Sequence, residues 1–274
     1  MVELTRPTSP VPERTAAVRF GDGLLPVRLR QGRSSVVTPR QVPAAPDQPA
    51  VLRAALESPV AGPRLREIVR PGQTVAIAIC DGTRPQPRRP MLEAILSELE
   101  GVADPGDLVV LVATGTHRGN TAEELTAMLG ADLLRSLEVV NHDGRREEDL
   151  RWCGRHGADV PVWLNRRWVD ADVRITTGFV EPHFFAGFSG GPKLAAPGLA
   201  GLETVLTLHD HRRIGDERAT WGVTEGNPVH DDVRAIAAAT GVDFGFDVVL
   251  NGDQEVVRAF AGELFAMHAA ACAS

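Results

Sequence analysis

Residues Thr74–Leu99 read TVAIAICDGTRPQPRRPMLEAILSEL. The first seven are small or β-branched and apolar without alternation, the pattern of a strand buried on both faces in a parallel sheet. A Pro71-Gly72 turn precedes them. The polar loop Asp81–Pro87 follows, stiffened by Pro85 and Pro87, and a helix is predicted over about Arg89–Leu99. The strand–loop–helix unit then recurs. Leu108–Ala113 is a strand and Thr114–Asn120 a loop, and Thr121 with Glu124 forms a capping box that opens the next helix. A third unit runs from the strand Val173–Thr177 through a long loop to a helix over about Leu199–Leu208. Strands alternating with helices imply an α/β fold: an open, mainly parallel sheet with helices on both faces, Rossmann-like. Ligands of such sheets sit beyond the carboxyl ends of the strands, so the three loops should meet there.

Toward the N-terminus, residues 1–13 are rich in Pro, Ser and Thr and read as a flexible arm. Thr15–Arg30 reads as a small β-hairpin turning at Gly21-Asp22-Gly23. Gln31–Pro49 carries four prolines and is expected to be irregular, and Ala50–Leu56 and Pro63–Val69 have helical spacing. Toward the C-terminus, Asn227-Pro228 starts a helix to about Ala239. Phe246–Asn251 and Glu255–Ala259 pair around Gly252-Asp253, and 262–272 form a last helix. The expectation is one α/β cofactor-binding domain over 14–274.

The chain has 274 residues, 43% of them apolar, and a net charge of -7. That charge disfavours a nucleic-acid surface. The longest apolar runs, Val75–Cys80 and Leu108–Ala113, are too short to span a membrane, and the N-terminal residues carry no apolar run of a signal peptide. Three scattered cysteines, Cys80, Cys153 and Cys272, fit a reducing cytoplasm and argue against a disulfide scaffold or a Cys-rich zinc site.

Of the 29 Lys and Arg residues, only Lys193 is lysine. Guanidinium supplies charge but stays protonated, whereas an amine can lose its proton and form a covalent bond. Lys193 follows Ser189-Gly190-Gly191-Pro192. Those glycines could present backbone N–H groups to a phosphate, or simply make a turn. Neither GxxxxGK[ST] nor GxGxxG is present. In the first loop, Arg84 could bind a carboxylate or phosphate through two parallel bonds. Asp81, with Thr83 beside it, could accept from ribose hydroxyls, or the loop could be a salt-bridged turn. His117 precedes a helix and His183 ends a strand, and both suit acid–base work. His209 and His211 close the next helix. One histidine suffices as a metal ligand if a cofactor supplies the others. His142, His156, His230 and His268 follow no metal-binding pattern and read as structural or solvent-facing.

Together, DGTRPQP at Asp81, ATGTHRGNTAEEL at Ala113 and EPHFFAGFSGGPKLAAPGLAG at Glu181 resemble the N-terminal domain of the nickel-dependent lactate racemase family. His209, EGNPVH at Glu225 and the strand pair ending in FAGE extend the likeness. The resemblance implies a racemase or epimerase of a small 2-hydroxy acid. It would work by hydride transfer to a nickel pincer nucleotide, a pyridinium-3,5-bisthiocarboxylic acid mononucleotide. His117 and His183 match the acid–base pair, His209 the nickel ligand, and Lys193 the lysine that can join the cofactor through a thioamide. Asp81, Thr83, Ser189, Gly190 and Gly191 are expected at the cofactor and Arg84 at the substrate. Gly82 and Pro192 stand where the lactate enzyme is expected to have His and Arg. Family enzymes continue into a second domain that adds a substrate-binding Lys and Trp. The expectation is that this domain is absent here and could come from another polypeptide. A non-catalytic cofactor-binding module, or an inactive fragment, is the competing reading.

Overall fold

A computed structural model describes residues 13–21, 23–37 and 41–274. Apart from Glu13, the arm expected over 1–13 lies outside these, as does Asp22 of the hairpin turn. The elements in chain order begin with β1 (Glu13–Phe20), β2 (Gly23–Arg30), α1 (Gln48–Glu57), α2 (Leu65–Ile68), β3 (Val75–Cys80), α3 (Arg88–Glu98) and β4 (Leu108–Ala113). Next come α4 (Ala122–Leu129), α5 (Ala131–Ser136), β5 (Glu138–Asn141), β6 (Leu150–His156), β7 (Val160–Asn165), α6 (Arg166–Asp170) and β8 (Val173–Phe179). The chain continues with β9 (Pro182–His183), β10 (Gly187–Phe188), α7 (Leu202–Leu208), α8 (His211–Ile214), α9 (Pro228–Thr240), β11 (Phe244–Leu250), β12 (Val256–Gly262) and α10 (Leu264–Cys272).

Two compact units divide the chain at Gln41 and Val42. In the first, β1 and β2 pair antiparallel, as the turn residues predict. The second is built on a six-stranded sheet of order β12-β11-β8-β3-β4-β5. All neighbours are parallel except β12, which returns antiparallel on β11.

The central strand β3 is buried along its whole length, as its unbroken apolar run requires. Helices cover both faces, and adjacent residues of β8 mark them. The Thr177 hydroxyl accepts from the Gln86 amide just before α3. Gly178 instead faces Asp247 and Leu194 on the other side. Leu52, Leu56, Met91, Leu92 and Ile95 from α1 and α3 lie in the same core as Ile77, Ile79, Ile175 and Phe246 of the strands. Each such side chain contributes about 1.5–3 kcal/mol on burial.

Strand β5 and the antiparallel hairpin β6–β7 have no counterpart in the sequence reading. The four-residue β5 is too short to show a period. The β6–β7 hairpin turns through Asp159 in the left-handed region (φ 62°) rather than through an Asn-Gly or Asp-Gly pair.

Candidate functional site

The loops after β3, β4 and β8 converge on one cavity of about 360 Å³ beyond the carboxyl ends of the strands. Asp81, Arg84, His117, His183, Ser189, Gly190, Lys193 and His209 all line it, as do Cys80 and Glu181. Thr83 and Gly191 stand just behind. His211 is exposed on the following helix and outside the cavity.

The first loop is tied down by two side chains that the sequence reading passed over. Gln86 accepts from the Cys80 N–H at 2.7 Å and donates to Thr177 at 2.8 Å. The buried Arg88 guanidinium donates to the carbonyls of Cys80 (2.7 Å), Gln86 (3.2 Å), Arg84 (2.6 Å) and Asp81. So held, Asp81 accepts from the Thr83 hydroxyl at 2.6 Å and its N–H at 3.0 Å through one oxygen. Its other oxygen takes His117 Nδ1 at 2.5 Å. Burial alone would raise the Asp81 pKa, but these bonds hold it below the usual carboxylate range. The carboxylate thus orients His117 through one oxygen and is itself held by Thr83 through the other. With Nδ1–H donated to Asp81, the lone pair of His117 is on Nε2.

In the second loop, Gly115 takes positive φ (57°) and its N–H donates to Gly198 O at 2.9 Å, joining this loop to the third. Position 82 is filled from the same loop: a Cβ there would meet Asn120 Nδ2 at 2.5 Å.

The third loop is a small hairpin, β9 on β10. His183 Nδ1 accepts from the N–H groups of Phe185 (3.4 Å) and Ala186 (3.2 Å), so the ring's proton is on Nε2. Burial, with Lys193 and Arg84 nearby, pushes its pKa down to about 3, and the ring is neutral. Phe185 stands edge-on between His183 and His209, at 4.5 and 5.3 Å. His209 donates Nδ1–H to Val205 O at 2.7 Å, which leaves Nε2 as a free lone pair.

The Ser189-Gly190-Gly191 stretch does not make the open cradle of N–H groups considered from the sequence. Ser189 N–H donates to Glu181 O at 2.9 Å, and Gly191 N–H donates to Asp247 Oδ2 at 2.6 Å. The stretch is a turn into a short 3-10 segment, Gly191–Leu194, which carries Lys193. Burial, then the Arg84 cation, lowers the Lys193 pKa to about 7. Burial also raises Glu181, and it pushes the Cys80 thiol up to about 12, keeping it protonated.

His142, His230 and His268 are buried and hydrogen-bonded or stacked, so structural is the right half of the expectation for them. His156 is half-buried, with Nε2 on Cys153 O at 2.8 Å. Among the described residues, no three His, Cys, Asp or Glu side chains gather closely enough to hold a metal by themselves.

Fold and cavity define a parallel α/β domain whose site, a lysine among imidazoles, stands at the carboxyl edge of the sheet. The family model described as the lactate racemase N-terminal domain matches residues 20–222, and the chain belongs to that family. It is 35% identical over 222 residues to the lactate racemase of Thermoanaerobacterium thermosaccharolyticum, covering 81% of this chain and 52% of the relative. It is 33% identical over 218 residues to that of Lactiplantibacillus plantarum, covering 80% and 51%. The solved lactate racemase apoprotein from T. thermosaccharolyticum superposes with a TM-score of 0.82 at 31% identity, over 95% of this chain and 61% of that one. A Thermotoga maritima protein at 23% identity and TM-score 0.64 shares the fold. The chain therefore spans about half the length of the curated relatives it matches.

Proposed function

We propose that the chain is the cofactor-binding half of a racemase or epimerase acting on a small, lactate-like 2-hydroxy acid with a nickel pincer nucleotide. The observation that carries this reading is the meeting of Lys193, His209, His117 and His183 on one cavity. The residues fit the group. His209 is fixed in the tautomer that offers Nε2 to a metal, and no other protein cluster competes for it among the described residues. Burial brings the Lys193 pKa down to about 7, toward the neutral amine that acylation requires. The bound cofactor would supply an electrophile for the C2 hydrogen of the substrate, which is too weakly acidic to leave as a proton.

The chain's own residues do the rest. Arg84 faces the cavity, and its guanidinium makes no salt bridge among the described residues, so it is open to the substrate carboxylate. His117 accepts the hydroxyl proton at Nε2, and Asp81 stabilises the imidazolium that results. His183 presents Nε2–H to the substrate oxygen from its own side. To act as base for the mirror substrate, it must first release the two backbone N–H groups on Nδ1. Localisation in a reducing cytoplasm suits three free thiols. Among the described residues, no helix is long and apolar enough to cross a membrane.

The test is intact mass and nickel content of protein made alongside the cofactor-building enzymes. Wild type should carry a covalent adduct and nickel; Lys193→Arg should lose the adduct and keep the fold. The same mass increment on cofactor loading in both proteins, or none in either, would refute attachment at Lys193. His209→Ala should lose most of its nickel, and full retention by elemental analysis would remove His209 from the coordination shell. A second reading is a module that binds the cofactor without turnover. Loaded protein that fails to racemise lactate alone would favour it.

A further inference from the structure

Behind the lysine turn lies a layer of buried polar groups that does not line the cavity. Asp247 sits in β11 between Phe246 and Val248, with no exposed surface. One of its oxygens accepts from Gly191 N–H at 2.6 Å, and the other has no partner among the described residues. A buried carboxylate costs stability unless it holds something in place, and this one holds the Gly191 N–H. His268, reaching across from α10, meets Ser189 O through Nε2 at 2.9 Å. Its far face stacks on His230 with centroids 5.9 Å apart.

The glycines of this region report the same layer. A Cβ on Gly190 would stand 2.6 Å from Asp247 Oδ2, and one on Gly191 would stand 2.5 Å from the His268 ring. A Cβ on Gly178 would stand 3.0 Å from Asp247 Oδ1. Gly190 and Gly191 also take positive φ, 75° and 51°. The turn is therefore pressed onto the two side chains and bonded to them at Ser189 and Gly191. Two residues on, the Lys193 side chain has no hydrogen bond or ion pair of its own among the described residues. Its amine stands where the backbone puts it.

We propose that Asp247 and His268 form a platform under the Gly190-Gly191 turn that fixes the position of the Lys193 amine in the cavity. They are positioning residues, acting through the turn. The inference deepens the reading of Lys193 as a tether, but its geometry does not depend on any cofactor, and neither does its test.

Because Lys193 is the sole lysine, its reactivity can be followed on one peptide, apart from the α-amino group. Cofactor-free protein is acetylated with acetic anhydride across a pH series, and the midpoint for Lys193 is read by peptide mass spectrometry. Wild type should titrate near about 7. Asp247→Leu and His268→Leu, once circular dichroism confirms folding, should move the midpoint by more than about one unit toward the free-amine value of 10.5. Asp247→Asn, which can still accept from Gly191, should stay with wild type. An unchanged midpoint in either folded leucine variant overturns the platform. Should neither variant fold, hydrogen exchange of the wild type decides. Protection of the Gly191 amide equal to that of β11 supports the platform, and rapid exchange overturns it. Absence of the adduct from cofactor-loaded wild type whose midpoint is about 7 would instead count against the tether.

Discussion

At the level of single residues, His117 and His183 differ in which ring nitrogen the protein already occupies. Asp81 takes the Nδ1 proton of His117, whereas backbone N–H groups fill the Nδ1 lone pair of His183. Asp81→Asn should therefore reverse His117, because the new amide can donate to Nδ1 and force the proton onto Nε2. The ¹⁵N shifts of the His117 ring should report that reversal, and turnover should fall by about 10²–10⁴-fold. An unchanged tautomer would remove Asp81 from its orienting role. Most of the cavity could be read one residue at a time, because Lys193, His117, His183, Arg84 and His209 carry unusual chemistry inside recognisable loops. Asp247 and His268 could not be read that way. Their parts are set by residues 56 and 79 positions away in the chain. The one local signal was a lone Asp inside the apolar run of β11.

Among the elements, strands β3, β4, β8 and β11 were legible because β-branched runs bounded by turn residues have few alternatives. Helix α9 shows how a start signal is also a fastener. Asn227 caps it by accepting from Val229 (3.1 Å) and His230 (3.2 Å), while its amide donates to Phe185 O and Val223 O at 3.0 Å each. Asn227 is fully buried, so Asn227→Ala strands several polar groups and should cost about 2–3 kcal/mol in urea unfolding. The α4 box is exposed, and Thr121→Ala should cost only about 1 kcal/mol. Strand β11 carries a pH dependence. Burial raises the Asp247 pKa to about 7 in the folded protein, so its contribution is whole below the ordinary carboxylate range and is lost as pH rises through about 7. Asp247→Asn should remove that share of the decline, which urea melts across the interval would measure.

For the molecule as a whole, the boundary between Gln41 and Val42 leaves the sheet, its helices and the cavity within residues 42–274. A protein trimmed to 42–274 should keep one cooperative thermal transition and the reactive Lys193; loss of either would show that the hairpin unit is needed for folding. The parallel pairings join strands far apart in sequence, so the sheet forms slowly compared with a helical bundle of equal size. That order has a biosynthetic side. The turn bearing the lysine leaves the ribosome well before α10, which brings His268 beneath it from 79 positions downstream. Until that helix emerges, the nascent chain has its walls without their floor, and an amine still open to solvent stays protonated and slow to acylate.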